Sequence, residues 1–95
     1  MEYNFDQVHN YYERLVFEEV AMRAHDEANT RFTADMLADV ACLALNRLPA
    51  RYVRHDVDMM FYLTEVERRA MQQSLDEVLK FAFAFVQERT ARALR

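Results

Sequence analysis

The 95-residue sequence contains no glycine, no tryptophan and a single proline, Pro49. Because glycine reaches the positive backbone φ angles that phosphate-cradling loops require, the absence of glycine excludes glycine-rich nucleotide-binding loops. The single cysteine, Cys42, cannot form an internal disulfide. No secretory leader pattern follows Met1, so the sequence predicts a cytoplasmic protein.

Long apolar runs are also absent. The longest ones, residues 40–45 and 81–86, fall far short of the roughly 20 residues that a membrane helix requires. Hydrophobic residues nevertheless make up 53% of the chain, which is enough for a modest core. The sequence therefore predicts one small domain over residues 1–95, with no membrane association.

Charge is distributed unevenly along the chain. The formal net charge is −4, and Lys80 is the single lysine beside eleven arginines. Arg47, Arg51 and Arg54 lie in a stretch without any acidic residue. The planar arginine fork suits phosphate, carboxylate or a guanine edge, although a solvated turn or a genomic bias for arginine explains the cluster equally well. The acidic balance argues against nucleic acid as a partner.

Hydrophobic periodicity predicts two helices in the first half of the chain. The first is expected to begin at Asp6 as N-cap and to end near Ala28. The second begins after Thr33 as N-cap and ends at Leu48, because Pro49 disfavours the α conformation of the residue before it. Cys42 falls in the apolar region of this second helix and is predicted to be a small core residue rather than a nucleophile.

An extended stretch is predicted between Val53 and Leu63, where apolar and polar residues alternate. This pattern is typical of a half-buried strand or of two short arms that turn near Asp56. Since a strand must place its backbone hydrogen bonds, we expect it to fold back as a hairpin or to pair with a second copy of the chain.

A third and longer helix is predicted from Thr64 to about Arg92, beginning with a capping box between Thr64 and Glu67. About 28 residues give roughly 42 Å of helix, whereas a compact domain of this size is only about 32 Å across. Its three phenylalanines cannot all face one intramolecular core; they are Phe81, Phe83 and Phe85. We therefore expect a homodimer that buries the excess apolar surface. The predicted fold class is mainly α (α+β), with three helices and one short strand or hairpin between the second and third.

The most informative motif lies at the end of the second predicted helix. It reads Asp39-Val40-x-x-Leu43-Ala44-Leu45-Asn46-Arg47-Leu48-Pro49-Ala50-Arg51-Tyr52-Val53. It resembles the late-competence ComFB family, whose motif is Asp-Val-x-Ala-(Leu/Ala)-x-Leu-Asn-x-Leu-Pro-Pro-x-Tyr-Val. The resemblance is detailed over residues 39–53 and covers most of the chain in outline. Ala50 replaces the second proline of the family.

The resemblance implies a dimeric regulatory protein without enzymatic activity. Members of the family have been linked to cyclic dinucleotide binding, to competence and to type IV pili. Some members also bind zinc through a cysteine cluster, but the aligned positions here are Arg31, Thr33 and Met36. We therefore expect neither a metal nor a cofactor in this chain.

Residues near the motif meet the needs of a cyclic dinucleotide, and cyclic di-GMP is the ligand that they suit best. Arginines can bind phosphates and the guanine O6/N7 edge, a carboxylate or amide can bind guanine N1/N2, and an aromatic ring can stack. The candidate ligand-binding residues are Arg47, Arg51, Arg54, Asp39, Asn46 and Tyr52. Structural roles remain open: Asn46 as a backbone cap, Asp39 as a partner of Arg47, and Tyr52 as a packing residue.

Catalytic chemistry is not indicated by the sequence. His9 and Glu13 stand one helical turn apart, but no second pair of ligands follows, so a surface pair is expected. The sequence thus supports two hypotheses. The first is a homodimeric cyclic di-GMP receptor, with a possible downstream protein partner. The alternative is a ligand-free protein interaction adaptor, which would present the aromatic end of the third predicted helix or the acidic first helix.

Overall fold

The computed structural model describes residues 2–94, which form a mainly helical domain. The elements follow one another as β1 (His9–Asn10), α1 (Tyr12–Ala24), a 3-10 helix (Glu27–Asn29), α2 (Ala34–Arg47), β2 (Tyr52–Val53), α3 (Asp58–Tyr62) and α4 (Glu65–Ala93). The strands β1 and β2 form a small antiparallel sheet. The mainly α prediction is confirmed, with one more helix than expected in the described part of the chain.

The central helix, α2, begins and ends where the sequence predicts. The Thr33 hydroxyl accepts a hydrogen bond of 3.2 Å from the amide of Met36, which satisfies a free donor in the first turn. Leu48 is extended (φ −89°, ψ 139°) ahead of Pro49, and its amide still donates to the carbonyl of Ala44 at 3.1 Å. The chain therefore leaves α2 abruptly and turns towards β2.

The hydrophobic core lies where α2 packs between α1 and α4. Its most deeply buried side chains come one from each helix: Val16, Val40 and Leu79. Around them are packed Tyr12, Val20, Ala41, Ala44, Leu48, Leu75, Ala82, Phe83 and Val86. Burial of this apolar set provides the main stabilisation of the domain, at roughly 25 cal/mol per Å² of apolar surface.

An ionic cluster at the edge of the core ties α1 to α4. Arg23 on α1 donates to the Asp76 carboxylate on α4 at 2.9 Å, and Lys80 lies 3.1 Å from the other oxygen of that carboxylate. Hydrogen bonds from Lys80 and then Arg23 hold the pKa of Asp76 below its usual value. These contacts are partly exposed, so they orient the helices more than they stabilise them.

The predicted burial of Cys42 is wrong, because its side chain is exposed. Successive residues of a helix are about 100° apart around its axis, so Cys42 lies roughly 200° from Val40. Val40, Ala41 and Ala44 face α1 and α4. Cys42 therefore belongs to the outer side of α2.

The first helix begins later than predicted. Asp6 does not cap it; α1 starts at Tyr12, and the two residues before Tyr11 form β1. Tyr11 is the N-cap residue without a capping side-chain bond, and the Asn10 side-chain oxygen accepts from the Tyr12 amide at 3.2 Å instead. The helix ends at Ala24 rather than near Ala28, because a 3-10 helix follows it.

The predicted strand over 53–63 is also wrong beyond its first residue. β2 comprises Tyr52–Val53 alone, and the chain then turns into α3, in which the Leu63 amide donates to the Met59 carbonyl at 3.1 Å. Met59 and Leu63 are four residues apart, a spacing that suits a helix as well as an alternating pattern. β2 pairs with β1 of the same chain, so its partner strand comes from the residues before α1 and not from a local hairpin.

The longest helix, α4, agrees with the prediction. The Thr64 hydroxyl accepts from the amide of Glu67 at 3.1 Å, which is the threonine half of the capping box. The helix contains 29 residues, and the longest dimension of the molecule is 55 Å. Phe83 is buried, whereas Phe81 and Phe85 remain 38% and 45% exposed. Within residues 2–94, no helix combines enough length with enough apolar character to cross a bilayer.

Candidate ligand-binding site

The arginine segment, residues 51–54, is held by the residues that precede α1. In the small sheet, His9 pairs with Val53 and Asn10 with Tyr52. We name His9, Asn10 and Tyr11 the N-terminal clamp. Because this pairing joins residues more than forty positions apart, it fixes the exit of α2 against the start of α1.

Asn10 is the centre of this attachment. Its side-chain oxygen accepts hydrogen bonds from the amides of Tyr12 (3.2 Å) and Arg51 (3.0 Å). The Tyr11 amide donates to the carbonyl of Arg51 at 2.7 Å. Asn10 is only 7% exposed, so water cannot readily replace these bonds, and losing them would leave buried polar groups unpaired. The backbone of Arg51 is thereby held on both sides.

The side chains of the arginine segment face solvent. Arg51 and Arg54 are exposed, and Tyr52 is 68% exposed. Within the described residues 2–94, neither arginine forms an ion pair. The structure therefore brings two available guanidinium groups and one aromatic ring together on a fixed backbone.

Asp56, the acidic residue that follows this segment, is already occupied. His9 Nε2 lies 2.5 Å from one carboxylate oxygen, and Arg14 Nε donates to the other at 3.1 Å. His9 Nδ1 lies 2.6 Å from the carbonyl oxygen of Gln7. Both ring nitrogens thus face acceptors, and only the doubly protonated, cationic imidazole can donate to both.

The electrostatics of the pair agree with this geometry. The hydrogen bond to Asp56 raises the pKa of His9 above its usual 6.5, and the Gln7 carbonyl and the nearby Glu13 act in the same direction. Conversely, the hydrogen bonds from His9 and Arg14 lower the pKa of Asp56. The raised pKa of His9 and the lowered pKa of Asp56 both favour the charged form of the pair.

Arg47 is held differently from Arg51 and Arg54. It lies on the last turn of α2, with its guanidinium carbon 3.9 Å from the centre of the Phe81 ring on α4. Phe81 in turn stacks on Phe85, with ring centres 5.7 Å apart. This cation–π contact links the candidate site to the exposed aromatic surface of α4.

Asn46 and Asp39 lie along the outer side of α2. The Asn46 amide group donates to the carbonyl of Cys42 at 3.0 Å, one turn back on α2, so it bonds the helix backbone without capping the free carbonyls at its end. Asp39 lies two helical turns earlier, about 10 Å along the axis, in a groove lined by Leu43, Phe85 and Arg89. The six predicted residues therefore divide into the exposed arginine segment, the end of α2 and a more distant Asp39.

The residues that position the site were missed by the sequence interpretation. His9 binds Asp56 rather than forming the expected surface pair with Glu13. A capping residue such as Asn10 ahead of an apolar helix was a usable local signal. The contact between His9 and Asp56 spans 47 positions, and no local pattern predicts it.

Comparison with protein-family models identifies the group to which the chain is related. The model of the late competence development protein ComFB matches residues 9–90. The chain belongs to the ComFB family. The ComFB match begins at His9, so it includes the N-terminal clamp, the arginine segment and most of α4. Searches of curated proteins and of solved structures found no significant match.

The positions that align with the zinc-binding cysteines of some ComFB proteins carry other residues in this chain. Of the aligned residues, Thr33 caps α2 and Met36 packs against the core, so both have structural roles. No group of three or more His, Cys, Asp or Glu side chains is placed to hold a metal ion within residues 2–94. The residues present offer no thiolate set of the kind that structural zinc requires.

Two apolar depressions lie outside the arginine segment. One is an open groove of about 470 Å³ between α1 and α2, lined by Phe17, Ala21, Ala38, Cys42 and Leu45 among others. The other is a notch of about 260 Å³ beneath α3, between Tyr11, Met60 and Arg68. Both are shallow and open to solvent, unlike the enclosed pockets that hold drug-sized ligands.

Proposed function

We propose that this ComFB protein is a homodimeric receptor for a cyclic dinucleotide, with cyclic di-GMP as the first candidate. The observation that carries the proposal is the arginine segment, in which Arg51 and Arg54 are exposed without an acidic partner in the described chain, beside the exposed ring of Tyr52. Membership of the ComFB family supports the same function through the link of that family to cyclic dinucleotides.

Each group of the segment suits one part of the ligand. Guanidinium forks of Arg51 and Arg54 can donate two parallel hydrogen bonds to a phosphate or to guanine O6/N7. The Tyr52 ring can stack on a purine, as aromatic side chains do in single-strand nucleic-acid recognition. Asn46 donates through its nitrogen to Cys42, which leaves its oxygen as an acceptor for guanine N1 or N2. This division of roles favours a guanine over an adenine ligand.

Dimerisation follows from the symmetry of the ligand and from the surface of α4. Cyclic di-GMP carries two equivalent guanylate halves, whereas each chain provides one arginine segment. A two-fold dimer would offer one segment to each half. The exposed Phe81 and Phe85, next to Arg47, provide apolar surface close to the site for such a contact.

Isothermal titration tests the ligand directly. We expect binding of cyclic di-GMP, weaker binding of cyclic di-AMP, and loss of binding in Arg51→Glu and Arg54→Glu. The matched control is Arg69→Glu, because Arg69 is an exposed arginine of α4 that pairs with Glu65. Absence of heat and of a thermal shift with wild-type protein at ~100 µM ligand, equivalent to a binding free energy weaker than about −5.5 kcal/mol, would reject the receptor.

A second function, a ligand-free adaptor dimer, is favoured by the apolar surface beside the site. Met60, Phe61 and Tyr62 of α3 are all strongly exposed, and Phe61 is 81% exposed. Exposed aromatic clusters are typical of protein interfaces. Charge reversal at Arg47 and Arg51 separates the two functions: a receptor loses nucleotide binding while the dimer persists, whereas an adaptor keeps the same partners.

A further inference from the structure

Asp56 lies close enough in the chain to form an ion pair with an arginine of the arginine segment. It follows Arg54 by two residues, so the two Cα atoms lie within about 7 Å of each other. Opposite charges this close attract each other, and an arginine fork can bind a carboxylate through two parallel hydrogen bonds. A free Asp56 carboxylate would therefore compete with any anionic ligand for the arginines.

The structure directs this carboxylate elsewhere. Both of its oxygens are engaged, one by His9 and the other by Arg14, whereas Arg54 forms no ion pair within residues 2–94. Arg14 is shared, because its Nη1 also lies 3.2 Å from Glu18. His9 is thus the partner committed most fully to Asp56.

His9 also belongs to the clamp that fixes the backbone of the segment. It pairs with Val53 in the sheet, and its neighbour Asn10 accepts from the Arg51 amide. The same short strand therefore sets the course of the backbone and neutralises the acid beside it. Neither His9 nor Arg14 needs to touch the ligand for these effects.

We propose that His9 and Arg14 are positioning residues of the anion site, which hold the Asp56 carboxylate away from Arg51 and Arg54 and so keep both arginines available to a phosphate-bearing ligand. This inference rests on the proposed receptor function, because it specifies how that site is kept open. The N-terminal clamp would then support ligand binding in two ways: its backbone contacts hold the arginine segment, and His9 compensates the charge of Asp56.

A double-mutant series measures how His9 and Asp56 affect the affinity of the arginine segment for anions. Each variant is titrated with cyclic di-GMP and, separately, with inorganic pyrophosphate. We expect His9→Ala to weaken binding about tenfold, equivalent to ~1.4 kcal/mol. Asp56→Asn should bind at least as tightly as wild type. His9→Ala combined with Asp56→Asn should regain wild-type affinity, because the competing charge is gone. His25→Ala, which removes an exposed histidine at the far end of α1, should have no effect.

Rescue is the decisive outcome, because changing Asp56 would not repair the loss of the contact between His9 and the Gln7 carbonyl. If the double variant binds as weakly as His9→Ala, or if His9→Ala binds like wild type, the inference is overturned. Arg14→Met, alone and with Asp56→Asn, repeats the test should His9→Ala fail to fold by circular dichroism. Arg14 is about half exposed, so that variant leaves the core intact.

The two probes separate this inference from the receptor function. If wild type binds pyrophosphate but not cyclic di-GMP, the receptor is rejected and the pyrophosphate series alone decides the role of His9 and Arg14. If wild type binds neither anion, the arginine segment is no anion site and both proposals are overturned.

Discussion

The helical core and the arginine segment are held together by different forces. Where α2 meets α1 and α4, side chains such as Val16, Val40 and Leu79 are fully buried, and the contacts are apolar. Between Pro49 and Thr64 the chain forms only a two-residue strand and a five-residue helix, and hydrogen bonds from the N-terminal clamp hold it in place. Stability therefore resides mainly in the helices, while the exposed arginines depend on a few polar bonds.

The largest effect should come from the core. Leu79→Ala removes a fully buried side chain of α4, and we expect a loss of about 2–5 kcal/mol in the free energy of unfolding from lost burial and the cavity left behind. Urea denaturation measures it. The control is Leu94→Ala, since Leu94 is strongly exposed at the C-terminal cap of the same helix. Similar losses of unfolding free energy in both variants would contradict the burial of Leu79 in the core.

A smaller effect should come from the clamp. Asn10→Ala leaves the amides of Tyr12 and Arg51 without their acceptor, and we expect a cost of about 1–2 kcal/mol. Hydrogen exchange should accelerate at those two amides more than within α2. Asn4→Ala serves as the control, because the Asn4 side chain accepts only from the exposed Asp6 amide. Unchanged exchange at Arg51 would show that the segment is held by other contacts.

The cap at the start of α2 should contribute less to stability than the core contacts do. Thr33→Ala removes the hydroxyl that accepts from Met36 at the start of α2, at an expected cost of about 1 kcal/mol. Thr33→Ser keeps the acceptor oxygen and should unfold close to wild type. Thermal unfolding followed by circular dichroism compares the three proteins. A serine variant as unstable as the alanine variant would rule out the cap as the cause.

The smallest effect should be a pH dependence confined to the arginine segment. Because the pKa of His9 is raised above 6.5, its contribution is complete below pH 6.5 and is lost as pH rises through the folded value. Because the pKa of Asp56 is lowered from 3.8, its contribution is present above pH 3.8 and is lost as pH falls through the folded value. The pair is therefore strongest between these limits.

Nuclear magnetic resonance titration of His9 tests this window in wild type and in Asp56→Asn. We expect the midpoint of His9 to fall towards its usual value in the variant, since Glu13 and the Gln7 carbonyl remain as its other neighbours. Equal His9 midpoints would mean that Asp56 does not hold the proton on the imidazole.

The helices were predictable because their signals are local. Thr33 and Thr64 mark the start of α2 and of α4 through hydrogen bonds to amides three positions away, and Pro49 marks the end of α2 by constraining Leu48 before it. The start of α1 was misplaced because a distant strand competes for the residues before Tyr12. The alternation of apolar and polar residues after Val53 led to a wrong strand prediction, because the same residues also fit the spacing of a short helix, α3.

The candidate site was predictable only in its composition. The motif and the acid-free stretch identified Arg51, Tyr52 and Arg54, which the structure places together on one exposed segment. The residues around them in the sequence do not indicate that Asn10 binds the Arg51 amide or that His9 pairs with the Asp56 carboxylate. These contacts join residues more than forty positions apart. Tertiary pairing of this kind becomes visible only in three dimensions.

The exposed Cys42 thiol is a single natural site for attaching a spectroscopic probe. As the single cysteine, it accepts one nitroxide or fluorophore on the outer side of α2 without disturbing the core. Two labelled copies would report their separation by dipolar coupling or energy transfer. In the proposed dimer, that distance would distinguish contact through α2 from contact through the exposed phenylalanines of α4.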